Sequence, residues 1–116
     1  MHVITVTEEA RGTIIGDRIQ IADTSLSRMV GLLGKRGVGA GGGLWIKPSS
    51  GVHTFFMRFP IDVIGLDKNM RVIRLWRNLV PFRITSVSLQ LGSVIELSSG
   101  RIAECGVQLG DVLRAI

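Results

Sequence analysis

The chain has no tyrosine, a single cysteine and three prolines, and four phenylalanines and two tryptophans are its only aromatic residues. Each scarcity excludes something. Cys105 cannot form an internal bridge and nothing pairs with it at metal-ligand spacing, which rules out a disulfide scaffold and fits a reducing compartment. No apolar run approaches the roughly 20 residues that a membrane helix needs. Met1 leads directly into the alternating run His2-Val3-Ile4-Thr5-Val6, without a basic region ahead of an apolar stretch, so no secretory leader is expected. The expectation is a soluble, cytoplasmic protein without a membrane partner. The 116 residues form one domain over 1–116, long enough to bury about two-thirds of the unfolded surface.

Arginine is what the chain has in quantity. The formal net charge is +5 on 14 basic residues, all but Lys35, Lys47 and Lys68 being arginine. That bias favours fork-like recognition of carboxylate or phosphate over diffuse solvation by lysine. The basic residues are nonetheless spread along the chain without one basic run, and a scattered charge is ordinarily a solvated surface.

Strand signals recur at short spacing. Residues 2–7 alternate, Glu8 to Gly12 reads as a turn, and Thr13 to Ala22 reads as a second strand, in which Gly16-Asp17 forms a bulge or a splitting turn. Asp23-Thr24-Ser25 offers helix caps. Leu26, Met29, Val30 and Leu33 follow at helical spacing, with Gly34 at the stop and Lys35-Arg36 at the negative end of the dipole. Five glycines in 37–43 make a loop, since each fixed glycine loses more backbone freedom than any other residue. Further strands are expected at 44–47, 61–66, 70–76, 94–97 and 112–116, with a hairpin turn at Asp67-Lys68-Asn69. A long connection spans 78–91, and one helical turn is expected within 102–107. Many short strands with one good helix predict a mainly β protein, a small closed or nearly closed β-barrel.

No motif carries an established reaction, so nothing here assigns an enzyme activity. Gly37, Gly39 and Gly42 match the dinucleotide pattern, but a helix precedes them and a strand follows, the reverse of the required context. His53, Asp62, Glu96 and Cys105 match no metal-ligand spacing. Cys105 sits beside Glu104, which blunts a thiol, and Ser49 and Ser50 lack a strand-to-helix elbow. No cofactor and no metal are expected.

The central stretch from His53 to Asp67 sets titratable side chains inside the most apolar part of the chain. Asp62, among Ile61, Val63, Ile64 and Leu66, needs a cation or several backbone donors if it is buried. Arg58 shares its parity in an extended chain and is the first expected partner. His53 is the interior histidine and the side chain suited to proton transfer near neutrality.

Taken together, Arg28-x-x-Gly31-Leu32, Arg36, Gly43-Leu44, His53-Thr54-Phe55-x-Met57-Arg58-Phe59-Pro60-Ile61-Asp62, Glu96-Leu97-x-x-Gly100 and Gly110-Asp111 resemble the widespread prokaryotic family known as domain of unknown function one-nine-two. The resemblance runs from about Ser25 onward. It implies a small, mainly β protein and brings no activity, substrate or cofactor. The chain departs from the pattern in its glycine-heavy loop at 37–43 and at Gly65, where a bulky residue is usual.

The leading functional expectation is a pocket for a small anionic ligand, a carboxylate, phosphate or sugar acid. Arg28, Arg36, His53, Thr54, Arg58 and Asp62 would line it, and Lys47 and the backbone N–H groups of the glycine loop would stand nearby. One rival is a basic barrel that binds single-stranded nucleic acid by stacking bases on Trp45, Trp76 and Phe82, for which aromatics are few. Another is a protein-interaction module with Phe55, Phe56, Phe59 and Trp76 in an exposed patch.

Overall fold

Among the described residues, seven strands and one short helix follow from the alternation of β-branched residues in the sequence, broken by glycine and aspartate turns. A computed structural model of the chain describes residues 3–24, 39, 41–51, 58–81, 83–85 and 88–116. The elements are β1 (Val3–Glu8), β2 (Ile14–Ala22), β3 (Gly42–Ile46), β4 (Ile61–Leu66), β5 (Val72–Leu79), β6 (Ser93–Ser98), α1 (Arg101–Cys105) and β7 (Leu113–Ala115). Every expected strand is present to within a few residues. The helix expected after Asp23 lies outside the described residues, as do residues 37, 38 and 40 of the glycine loop, whose Gly42 and Gly43 open β3.

The sheet order is β5-β4-β6-β3-β2-β1-β7, and only the β2–β3 pair is parallel. Because β3 and β4 each pair antiparallel with β6, the strands β2, β3 and β4 all run in one direction. The fold is mainly β as expected, but the barrel is only approximate. The edges β5 and β7 meet through an isolated bridge, Arg71 with Val112, where Val72 N–H donates to Asp111 O at 2.8 Å and Leu113 N–H donates to Met70 O at 2.9 Å. A three-residue β7 is too short to carry the ladder along an eight-residue β5, so the sheet stays open beyond that point.

Strand β2 runs unbroken through Gly16-Asp17. The register with β1 shifts beside Gly16, so the feature is a bulge-like irregularity and not a turn. The hairpin from β4 to β5 turns where expected: Asp67 Oδ1 accepts the N–H groups of Asn69 at 2.8 Å and Arg71 at 2.9 Å, the local bonding that makes aspartate a turn former. At Gly65, a β-carbon would come within 2.7 Å of Leu91 Cδ2 and 3.0 Å of Arg74 Cβ. The volume of the bulky residue usual at this position is thus filled from outside the strand, by Leu91 and the Trp76 ring.

Two apolar clusters divide the sheet by face. The larger draws Val6, Ile15, Ile19, Trp45, Ile64, Leu66, Val72, Ile95, Leu97, Ile102, Val107 and Leu113 from every element and is the enclosed interior. The smaller lies on the other face: Ala22, Leu44, Ile61, Val63 and Val94, with Ile46, Phe59, Trp76 and Leu79 packed against it. Strand β4 is buried at all six positions because both of its faces are covered.

Candidate functional site

Asp62 is 1% exposed, as a carboxylate in an apolar strand would be only if its charge were met. Two backbone donors meet it. Its Oδ1 accepts the N–H of Asn78 at 2.9 Å and its Oδ2 accepts the N–H of Ile102 at 2.9 Å. Both donors would otherwise be orphans. Asn78 lies at a register shift between β4 and β5, with φ at 52°, where an extra residue leaves its N–H out of the ladder. Ile102 is in the first turn of α1, whose cap position is Gly100 and offers no side-chain acceptor. Asp62 thus caps a helix from a distant strand while closing a bulge.

The expected Arg58–Asp62 pair does not form. Residues 58 and 59 make a bend, which breaks the extended parity that the pairing assumed, and the Arg58 side chain is exposed. Of the other expected site residues, Arg28, Arg36, His53 and Thr54 lie outside the described residues. Lys47 is described and sets its Nζ 4.2 Å from the centroid of the Trp45 ring.

Sequence reasoning gave Glu96 no role, yet this residue stands out. It lies in β6 opposite Leu44 of β3 and Val63 of β4, on the face of the smaller cluster. It is 3% exposed, and no described residue gives it a hydrogen bond or an ion pair; desolvation pushes its carboxyl up to about 7. The signal was one charged residue in the run Val94-Ile95-Glu96-Leu97. That pattern reads as a strand with a wet face, and only the packing shows that both faces are covered. The remaining buried acid, Glu8, is 2% exposed and fully engaged, accepting the N–H groups of Ala10 and Arg11 at 2.9 Å each and pairing with Arg11 Nε at 3.2 Å.

The stacking and patch readings lose support among the described aromatics. Trp45 is 6% exposed within the interior, and Trp76 and Phe59 pack against the smaller cluster. Phe55, Phe56 and Phe82 lie outside the described residues. No group of three or more potential metal ligands occurs among the described residues, and none of their helices is long and apolar enough to cross a membrane.

Comparison with known proteins gives a consistent result. The family model described as Uncharacterized ACR matches residues 4–115. A UPF0127 protein of Pyrococcus horikoshii is 29% identical over 114 residues, spanning 94% of this chain and 96% of its own. Two crystal structures share the fold. A protein of unknown function from Novosphingobium aromaticivorans has a TM-score of 0.81 at 23% identity, covering 97% of this chain and 83% of the other. A candidate transcription regulator from Sinorhizobium meliloti has a TM-score of 0.81 at 21% identity, covering 97% and 91%.

Proposed function

The chain belongs to the family described as Uncharacterized ACR, domain of unknown function one-nine-two, and we propose that it binds a small anionic ligand, a carboxylate, phosphate or sugar acid, over the sheet face that carries Leu44, Val63 and Glu96. The observation that supports this reading is the strand order. The strands β2, β3 and β4 run in one direction and succeed one another in one sense across the sheet, with β6 between the last two. Connections between such strands are right-handed in about 98% of cases. Applied twice in the same sense, that rule supports a reading in which residues of both connections act on one side of the sheet.

These two connections hold Arg28 and Arg36 in one and His53, Thr54 and Arg58 in the other. The interior cluster draws on β1, β7 and α1, and the reading takes the face of the smaller cluster as the ligand's side of the sheet. Three guanidinium forks, an imidazole and a hydroxyl would suit a carboxylate or phosphate, because charge-assisted forked hydrogen bonds are strongest where water is excluded. Asp62, first grouped with these residues, is assigned to the fold. A cytoplasmic ligand pool is part of the proposal, consistent with a lone cysteine.

A thermal-shift screen of the intact chain tests it, with inorganic phosphate, sulfate, citrate, sugar acids, nucleotides and short single-stranded oligonucleotides at low and high salt. The proposal expects at least one small anion to raise the melting temperature. That shift should be lost in Arg36→Ala and His53→Ala variants that still melt cooperatively. No response to any small anion overturns it. A response confined to oligonucleotides and steeply weakened by salt would instead support nucleic-acid binding.

A further inference from the structure

We infer that the outer edge of β5 is a docking site for an acidic, extended segment of a partner protein, which it takes on as an added strand. None of the residues of this edge belongs to the proposed anion site.

The edge is open. Strand β5 ends the sheet order, and the 110–113 segment meets it only as far as Val72, through the Arg71–Val112 bridge, with Gly110 N–H donating to Val72 O at 2.8 Å as the last rung. From Ile73 to Leu79 no strand of the described residues lies on the outer side. An edge of that length leaves a row of outward N–H and C=O groups with which a further strand can pair.

Charge selects the partner. Between Asp67 and Glu96 there is no acid, and that stretch holds Lys68, Arg71, Arg74, Arg77 and Arg83, all of them exposed. The other nine basic residues equal the nine acidic ones in number, so the whole net charge of +5 belongs to the β4–β5 turn, to β5 and to the segment just after it. Arg71 and Arg74 donate to backbone carbonyls, of Gly110 at 2.7 Å and of Ile73 at 2.8 Å, which holds their guanidinium groups without neutralising them. No carboxylate among the described residues pairs with Arg71, Arg74 or Arg77. Charge on an edge strand ordinarily wards off other chains, but charge of one sign repels only its like and attracts an acidic strand. A second copy of this chain is disfavoured on the same ground, since two β5 edges paired about their middle would set Arg74 opposite Arg77. Nucleic acid would want exposed stacking surfaces, whereas Trp76 packs against the smaller cluster and Trp45 lies in the larger.

An apolar anchor point lies at the start of the edge. A cavity of about 410 Å³ opens there between Ile73 of β5, the exposed Leu89 and Lys68. It suits one apolar side chain of a segment whose acidic residues meet the arginines further along.

Fluorescence anisotropy at low salt tests the site, with the intact chain and a labelled peptide of four Glu-Val repeats. That peptide should bind and a Lys-Val peptide should not. Methylating the backbone nitrogens of its glutamates should abolish binding and methylating those of its valines should spare it, or the reverse, because only one alternate set of N–H groups can face β5. A variant carrying Arg74→Glu and Arg77→Glu that still melts cooperatively should bind about tenfold more weakly. No binding by the Glu-Val peptide overturns the proposal. Two methylated forms that behave alike overturn it as well, since charge attraction without strand pairing would not distinguish them. So does a single-stranded oligonucleotide that displaces the peptide and binds more tightly, which would assign the edge to nucleic acid. A dimer of the free chain that the peptide fails to disperse would assign it to a second copy and overturn it too.

Discussion

The Oδ2 atom of Asp62 accepts the backbone N–H of Ile102 at 2.9 Å across 40 positions of sequence, so the second residue of β4 caps the helix that follows β6. With Asn78 on its other oxygen, the carboxylate joins β4, the β5 bulge and α1 at one buried point.

Replacing that carboxylate should therefore cost stability. Asp62→Asn keeps one acceptor and turns an NH2 group toward a backbone donor, which should destabilise by about 2 kcal/mol. Asp62→Ala leaves both N–H groups unsatisfied and should cost more. Urea unfolding measures the loss, and amide exchange should quicken first at Asn78 and Ile102. An Asp62→Ala protein as stable as the parent would show that the joint is dispensable.

Glu96 gives stability a pH dependence of defined sign. Its folded pKa is raised from 4.5 to about 7, so between those values the folded state holds a proton that the unfolded state has released. Stability from this residue is full below about pH 4.5, falls as pH rises toward 7 and levels off above it, by on the order of 3 kcal/mol. Glu96→Gln should remove that slope and leave the protein more stable than the parent at about pH 8. Parallel curves for the two proteins from acid to neutral pH would contradict the assignment.

Gly65 and Leu91 should be energetically coupled. A methyl group at Gly65 intrudes on Leu91 Cδ2 and on Arg74 Cβ, so Gly65→Ala should cost about 1–3 kcal/mol through overpacking. Leu91→Ala opens a cavity and costs stability too, but the same cavity admits the new methyl. The double variant should be less destabilised than the sum of the singles by about 1 kcal/mol. Simple additivity in the denaturation midpoints would mean that Leu91 does not fill the space beside Gly65.

Arg101 fixes the start of α1 to β2, donating from Nε to Ile15 O and from Nη2 to Ile14 O, each at 3.0 Å. Charge-assisted bonds of this kind contribute about 1.5–3 kcal/mol, so Arg101→Ala should lower the unfolding free energy within that range. Arg101→Lys should restore less than half of the loss, because an ammonium cannot reproduce a planar fork that spans two successive carbonyls. Full rescue by lysine would indicate that charge alone matters at this position.

Much of this protein could be read from its sequence because the interactions concerned are local. Alternation gave the strands, Asp67-Lys68-Asn69 gave a turn stabilised by the aspartate's own neighbours, and Gly100 and Gly106, both with positive φ, bracket the one described helix. Residues 61–66 read as a strand and are one, to the residue. The burial of Asp62 was also legible, since a charge in an unbroken apolar run must be met by something.

What meets it was decided by tertiary structure. Its two donors lie 16 and 40 residues away, whereas the local candidate, Arg58, is removed by a bend that no periodicity marks. Glu96 makes the same point from the opposite direction. By itself Val94-Ile95-Glu96-Leu97 is a strand with one wet face, and only the packing of β6 between β3 and β4, with both faces covered, turns that glutamate into a buried acid without a partner among the described residues. Sequence alone determines which residues form strands and turns, because those choices depend on neighbours a few positions apart. Which buried polar groups are satisfied, and by what, depends on strands that meet only after the sheet has assembled.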